Sequence, residues 1–168
     1  MDIDFGLLVV RLALGPMIFA HGYNKMFGVG GIEGTTRWFA SLGLRPARVH
    51  AVLASVLEMA TGVLLLLGLG TSAACAALVG LMAVAAVTDH KGKGYFVFKG
   101  GSEYVLLVAM VAIGLASLGA GRWSVDHIIG VDTSGLWWAI GAAVLGAVAA
   151  GGLVVAATTP EAARQGTV

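Results

Sequence analysis

Residues 7–26 read LLVVRLALGPMIFAHGYNKM, an apolar run that contains three basic side chains. About 20 apolar residues cross the hydrocarbon core of a bilayer as a helix, so this run is long enough to span a membrane. A cation at the centre of such a helix costs roughly 2.5–3.5 kcal/mol on insertion scales. At about 100° per residue, Lys25 lies roughly 40° and His21 roughly 80° around the axis from Arg11. These side chains share one side of the helix, which must face protein or a cavity.

The composition indicates an integral membrane protein. The chain has 168 residues, of which 58% are hydrophobic and only 11% are charged, whereas soluble domains usually carry about 25% charged residues. The formal net charge is +1, and the scattered Lys and Arg residues argue against a nucleic-acid partner. A single cysteine, Cys75, excludes an internal disulfide and a cysteine-based metal site.

Five apolar stretches predict an all-α fold, a polytopic membrane helix bundle. They cover residues 5–27, 49–69, 72–88, 104–118 and 136–157. Each is near the length that a membrane-crossing helix needs, and the fourth is the shortest. Because only GLGTS joins the second stretch to the third, we expect these two helices to form an antiparallel hairpin. In the first long loop, the aromatic pattern at 35–42 predicts a short interfacial helix, with an aromatic-anchored loop as the alternative.

The basic residues predict how the protein is oriented as an integral protein of the plasma membrane. The loops after the first and third stretches carry most of them: Arg37, Arg45, Arg48, Lys91, Lys93 and Lys99. The loops on the opposite side carry only Arg122. The positive-inside rule therefore places both basic loops in the cytoplasm, the N-terminus outside and the tail at 159–168, with Arg164, in the cytoplasm.

Six polar residues from four predicted helices fall in the same half of the membrane. They are His21, Lys25, Glu58, His90, Glu103 and Tyr104. Glu58 is the most deeply buried acid, roughly 13 Å from the basic face at 1.5 Å per residue. We expect a polar pocket here, with structural pairing of Glu58 to Lys25 and a helix-start role for Glu103 as the alternative.

Arg11 lies in the other half of the membrane. We expect it to form a structural ion pair with Asp126 of the outer loop. His50 and His127 are expected at solvated loop edges.

Motifs for most cofactors are missing. The loop GVGGIEG at 28–34 fails the GxGxxG pattern, so no flavin or nicotinamide motif is present, and ligand spacing for a metal is absent. Haem b requires two membrane histidines that face each other. His21 and His90 lie near one membrane face, which is weak support for such a pair, so haem b is not expected.

Six short motifs, in order, resemble the DoxX family over about residues 5 to 130. They are HGYNK at 21–25, the following FGVGG, the Phe39–Gly43–Pro46 spacing, Glu58 with Gly62, FKGGSE at 98–103 and GAGRWSVD at 119–126. The last motif departs mildly from the family's GPG and WSLD-like pattern.

The resemblance implies a four-helix membrane core at 1–130, related to the small subunits of thiosulfate:quinone oxidoreductase. It also implies a link to membrane-associated oxidoreductase complexes that handle thiols and oxidative stress. Residues 131–158 then form an additional C-terminal transmembrane helix, and 159–168 a short cytoplasmic tail. Small residues repeat every four positions in the fifth helix, so it can pack on its own bundle, a second copy or another subunit.

These features favour a membrane subunit of an oxidoreductase complex that contacts quinone. Quinone reduction consumes two protons with two electrons, so the site needs hydrogen-bond donors and a proton path. We predict His21, Glu58 and Glu103 as catalytic residues, and His21, Lys25, His90 and Tyr104 as cofactor contacts. The chain has no visible electron carrier, so electrons must come from a partner or a bound cofactor. The alternatives are a non-enzymatic anchor or assembly subunit, and a small carrier or lipid-handling protein.

Overall fold

The computed structural model describes residues 2–158, and the predicted tail at 159–168 lies outside them. The prediction of an all-α membrane helix bundle is confirmed. The helical elements are α1 (Asp2–Phe27), α2 (Gly31–Ser41), α3 (Ala47–Leu67), α4 (Thr71–Thr88), a 3₁₀ turn (Val97–Lys99), α5 (Glu103–Leu118), α6 (Val125–Ile128) and α7 (Leu136–Ala157).

All five predicted apolar stretches are helical. Four of these helices, α1, α3, α4 and α7, are long and apolar enough to cross a membrane. The fifth, α5, has 16 residues and extends about 24 Å at 1.5 Å per residue, somewhat short of a hydrocarbon core of about 30 Å. The predicted short helix in the first loop is α2, which begins at Gly31, four residues earlier than its aromatic pattern suggested.

The bundle consists of two packed layers. In the first layer α1 lies against α3, and in the second α4 lies against both α5 and α7. The predicted hairpin joins the layers, because α3 and α4 are connected by only three residues. Gly68 and Gly70 adopt left-handed backbone angles there, with φ of 65° and 57°, which lets the chain reverse in so few residues.

Glycines bring α1 and α3 into backbone contact. A Cβ atom added at Gly62 would lie 2.6 Å from the carbonyl oxygen of Gly15, and one added at Gly22 would lie 2.5 Å from that of Ser55. Small residues at such positions let membrane helices approach closely and gain van der Waals contact. The α1–α3 layer therefore depends on the absence of side chains at these positions.

The last helix, α7, packs on its own bundle. Its stripe of Ala142, Gly146 and Ala150 is buried, and a Cβ atom at Gly146 would lie 2.8 Å from the carbonyl oxygen of Ala76 on α4. Of the three arrangements left open for this helix, the structure shows this one. In the other stripe of small residues, Ala147 and Gly151 are exposed and Ala143 is half-buried.

We call the end of the bundle where α1 and α4 finish the basic end, because the loops with most of the Lys and Arg residues lie there. A strap closes part of this end: the Arg45 N–H donates to the Ala157 carbonyl oxygen at 2.7 Å, and Leu44 forms a bridge with Thr158. The α2–α3 connection is thereby tied to the C-terminus of α7.

Replacing Gly62 with Ala should destabilise the protein by about 1–3 kcal/mol, because the neighbouring backbone cannot yield to the new methyl group. The matched control is Gly114→Ala on α5, where a Cβ atom meets nothing within 4 Å. That change should be neutral or stabilising by up to about 1 kcal/mol, through helix propensity alone. Denaturant titration of the purified protein in detergent measures both, and equal stability of the two variants would contradict the packing described.

Candidate functional site

A cavity of about 570 Å³ lies between the α1–α3 layer and the α4–α7 pair, beside α2. Most of its wall is apolar. Its polar lining residues are His21, Lys25, His50, Glu58, Thr88, Asp89, His90 and Tyr104. The structure thus brings together five of the six polar residues singled out from the sequence, and leaves Glu103 outside the lining.

Glu58 and Lys25 form an ion pair at the wall of the cavity. The close approach of α1 and α3 at Gly22 places Lys25, less than one turn further along α1, within reach of the carboxylate. The side chain of Glu58 is 6% exposed and that of Lys25 is 18% exposed. The ammonium group binds Oε1, while Oε2 is buried and has no hydrogen-bond partner. Glu58 therefore lines the cavity with an acceptor atom that is buried and unsatisfied, which is costly in apolar surroundings.

His21 and Tyr104 form a second polar pair, which connects the two layers. The His21 Nε2 and Tyr104 Oη atoms are 3.3 Å apart, and the hydroxyl also lies 3.5 Å from the Met17 sulfur. A phenol and an imidazole can each donate or accept a proton. The cavity wall therefore carries groups suited to hydrogen-bonding a ligand carbonyl.

His90 lines the cavity near its basic end. Its Nδ1 lies 2.6 Å from the Gly100 carbonyl oxygen, so this nitrogen donates, and its Nε2 lies 4.0 Å from the Asp89 carboxylate. These contacts fasten the α4–α5 loop. Glu103 serves the same loop, because its Oε2 accepts the Val97 N–H at 2.9 Å. Glu103 thus contacts the loop backbone and starts α5, and the catalytic role predicted for it stays a prediction.

Sequence reasoning missed His50, which it placed at a solvated loop edge. The ring lines the cavity, with Nε2 3.2 Å from the Arg45 carbonyl oxygen and a buried Nδ1 that has no hydrogen-bond partner. The available signal was spacing: His50, Ala54 and Glu58 are four residues apart and share one face of α3. A titratable ring therefore lies between the basic end and the buried acid.

Arg11 and Asp126 form a separate polar cluster at the opposite end, with an organisation different from the predicted ion pair. The guanidinium is 2% exposed and donates to four carbonyl oxygens, those of Leu65, Leu66, Ala120 and Trp123, at 2.6–3.1 Å. Asp126 instead accepts the N–H groups of Gly70 and Thr71, at 2.7 and 3.0 Å.

Within residues 2–158 the structure gives no direct hydrogen bond or close ion pair between Arg11 and Asp126, although the charge of Asp126 acts on the guanidinium, so their pairing as structural partners stays a prediction. Both side chains bind the backbone, because helix ends leave backbone groups without partners. Carbonyls at the C-terminus of α3 and in the 119–126 loop bind the guanidinium, and N–H groups at the start of α4 bind the carboxylate. The tether between α1 and the 119–126 loop exists, but it consists of bonds to the backbone.

Comparison with known proteins places this chain among membrane proteins. The DoxX family model matches residues 6–91. A Bacillus subtilis (strain 168) protein named "Putative oxidoreductase CatD" is 32% identical over 126 residues, which cover 75% of this chain and 88% of the relative. No solved structure matches the chain. The matched range contains α1 to α4 with the Lys25–Glu58 pair, and leaves Tyr104 and α7 outside.

The Lys25–Glu58 pair should show strong energetic coupling. Lys25→Met and Glu58→Gln should each destabilise the protein, by about 3–5 kcal/mol where a charge is left buried and unpaired. The double variant should recover part of that loss, with a coupling energy of about 0.5–3 kcal/mol.

The matched control for this cycle is the exposed Arg48–Glu33 pair, whose side chains are 65% and 59% exposed. Arg48→Met and Glu33→Gln should couple by less than about 1 kcal/mol, because solvent screens the charges. Denaturant titration of both cycles tests the difference, and strict additivity at Lys25 and Glu58 would contradict their pairing.

The Arg11→Met substitution should destabilise the protein more than Arg37→Met, because the Arg37 side chain is exposed. The first change leaves buried carbonyls without a donor, at about 1–3 kcal/mol for each one that water cannot reach. Arg11→Lys should rescue only partly, since one ammonium group cannot reproduce the guanidinium fork. Thermal unfolding in detergent provides the comparison, and similar melting temperatures for the Arg11→Met and Arg37→Met variants would refute the tether.

Proposed function

This chain belongs to the DoxX family, and from that premise we propose that it is a membrane subunit of an oxidoreductase complex that contacts quinone in its cavity. The observation that carries the proposal is the buried Glu58 carboxylate at the wall of an apolar cavity, with one oxygen on Lys25 and the other buried without a partner. The name of the Bacillus subtilis relative supports the reaction class. The electrons are proposed to come from a partner subunit.

The chemistry of the cavity fits a quinone head group. Small-molecule pockets measure about 300–1,000 Å³ and combine apolar walls with a few polar groups, and this cavity has both properties. An aromatic quinone ring requires apolar walls, and its carbonyl oxygens require donors. The Tyr104 hydroxyl, the His21 ring and the Lys25 ammonium group would hold these oxygens.

Bound quinone would supply a redox couple that takes up two electrons and two protons on reduction. Glu58 would hold a proton at Oε2, and Lys25 would compensate its charge after the proton leaves. His50 would receive protons at the basic end, since its ring lies on the same face of α3. We propose that the protein lies in the plasma membrane with its basic end facing the cytoplasm. Protons would then reach the cavity from the cytoplasm.

Fluorescence offers a direct test, because Trp38 lines the cavity whereas Trp123, Trp137 and Trp138 lie at the opposite end. A variant with Phe at the last three positions keeps Trp38 as its only tryptophan. A tailless benzoquinone or naphthoquinone should quench its emission saturably. Replacing Tyr104 with Phe or Glu58 with Gln in that background should weaken binding by roughly tenfold each, since about 1.4 kcal/mol corresponds to a factor of ten.

The matched control is Trp38→Phe, which keeps the three distant tryptophans. It should show only linear quenching by quinone dissolved in the detergent. Linear quenching in both variants would sink the quinone proposal and leave the anchor-subunit alternative, in which the Lys25–Glu58 pair is structural.

A further inference from the structure

We propose that the α4–α5 loop, residues 89–102, is a binding site for an anionic phospholipid. An aromatic tip at residues 95–98 enters the apolar boundary of the bilayer, and Lys91, Lys93 and Lys99 hold the phosphate of the lipid head group. The tip and these lysines lie outside the cavity lining, so the inference does not depend on the quinone proposal.

The aromatic tip is exposed although it is apolar. Its four consecutive side chains, Tyr95, Phe96, Val97 and Phe98, are 52–77% exposed. The Phe96 and Phe98 rings stack with their centroids 5.4 Å apart, and the centroids of Tyr95 and Phe96 are 5.6 Å apart in an edge contact. Rings that cluster with each other and stay more than half exposed form an apolar surface. Such a surface favours the boundary between water and lipid, where aromatic side chains are enriched.

The helix that follows the loop begins below the end of α1. The Tyr104 hydroxyl contacts the Met17 sulfur and the His21 ring. His21 precedes Phe27, the last residue of α1, by six residues, or about 9 Å at 1.5 Å per residue. Helix side chains lean toward the helix N-terminus, which for α5 is the basic end, so the Tyr104 backbone lies at least as deep as its hydroxyl. The short α5 therefore leaves part of the membrane thickness at the basic end to the loop.

Hydrogen bonds hold the aromatic tip at the start of α5. The Glu103 N–H donates to the Tyr95 carbonyl oxygen at 2.8 Å, and Glu103 Oε2 accepts the Val97 N–H at 2.9 Å. The Phe96 carbonyl oxygen accepts the Gly101 N–H at 2.9 Å. The tip thus lies beside Glu103, and these backbone groups are paired within the protein, as apolar surroundings require.

Three exposed lysines surround the tip. Lys91 and Lys93 precede it and Lys99 follows it. A Cβ atom at Gly100 would lie 3.3 Å from the Cδ atom of Lys93, so the Lys93 stem passes beside the backbone next to Lys99. An anionic phospholipid carries its phosphate directly beside its acyl chains, and lysines next to an apolar surface match that arrangement.

Two acidic residues next to these lysines are engaged elsewhere. Asp89 is half-buried and accepts from the Lys93 ammonium group at 3.2 Å. Glu103 is half-buried and bonded to the loop backbone. Within residues 2–158, Lys91 and Lys99 form no ion pair. The charge offered to a ligand is therefore positive, and it comes mainly from Lys91 and Lys99.

An acidic soluble protein is the other partner that this charge could attract. The depth of the tip favours lipid, because a protein in water would have to reach side chains held beside the start of α5, below the end of α1.

Nitroxide labels test the depth of the tip in vesicles of phosphatidylglycerol and phosphatidylcholine. The Cys75→Ala change removes the only cysteine of the chain, and Phe98→Cys or Lys91→Cys then places one label in the tip or beside it. The label at 98 should collide more with oxygen, which concentrates in lipid, and the label at 91 more with a water-soluble nickel chelate. Preference for the chelate at both positions would place the tip in water and overturn the inference in favour of a soluble partner.

Lipid titration of the purified protein in a neutral detergent, read by native mass spectrometry, tests the head-group site. Phosphatidylglycerol should bind roughly tenfold more tightly than phosphatidylcholine. Changing Lys91, Lys93 and Lys99 together to Gln should abolish that preference, since each lysine near a membrane surface contributes roughly a factor of five.

The matched control changes Arg37, Arg45 and Arg48 to Gln. It removes the same charge from exposed side chains at the same end of the bundle, outside the loop. Phosphatidylglycerol should keep its preference in this variant. An equal loss in the two triple variants would show a diffuse attraction to the basic end and overturn the site.

A double change, Phe96→Ser with Phe98→Ser, separates a lipid from a free phosphate ion. Both side chains are more than half exposed, so the fold should stay intact. Phosphatidylglycerol binding should weaken by roughly fivefold, because its acyl chains lose apolar contact, whereas a site for inorganic phosphate alone would not respond. Unchanged lipid binding in this variant would leave a lysine cluster for phosphate and overturn the lipid site.

Discussion

The backbone contact between α1 and α3 determines where the charged groups of this protein meet. Three glycines, at positions 15, 22 and 62, remove the side chains that would otherwise hold the helices apart. Lys25 then reaches Glu58, and two groups that would each be costly in a membrane become an ion pair. The pair leaves one carboxylate oxygen without a hydrogen-bond partner, and that oxygen is buried at a residue that lines the cavity.

The two ends of the bundle use buried charge in different ways. At the opposite end, Arg11 and Asp126 are saturated by backbone carbonyl and N–H groups, so they hold elements together and have little capacity left for a ligand. At the cavity, Glu58 and His50 each keep a buried atom without a hydrogen-bond partner. Buried polar atoms are nearly always satisfied. The Thr71 hydroxyl at the opposite end is also without a partner, but only Glu58 and His50 line the cavity, so these two residues mark the place where a ligand or a proton is expected.

The last helix matters to the site although it lies outside the region that the family model matches. It supplies one wall of the cavity through Leu145, Ala149 and Leu153, and the strap at Arg45 ties its end to the α2–α3 connection. The four apolar helices before α7 already contain the charged pair, and α7 adds a wall to the cavity beside it.

The sequence by itself determined the class of the protein, the five apolar helices and the shared depth of His21, Lys25 and Glu58. These properties follow from the length of each apolar stretch and from the rise per residue of a helix, and both depend only on the local sequence. Only the tertiary structure decided the lateral contacts: backbone carbonyls for Arg11, a loop N–H for Glu103, and the cavity wall for His50. The reason is physical, since position along a helix sets depth in the membrane, whereas rotation and choice of neighbour depend on how whole helix faces fit together.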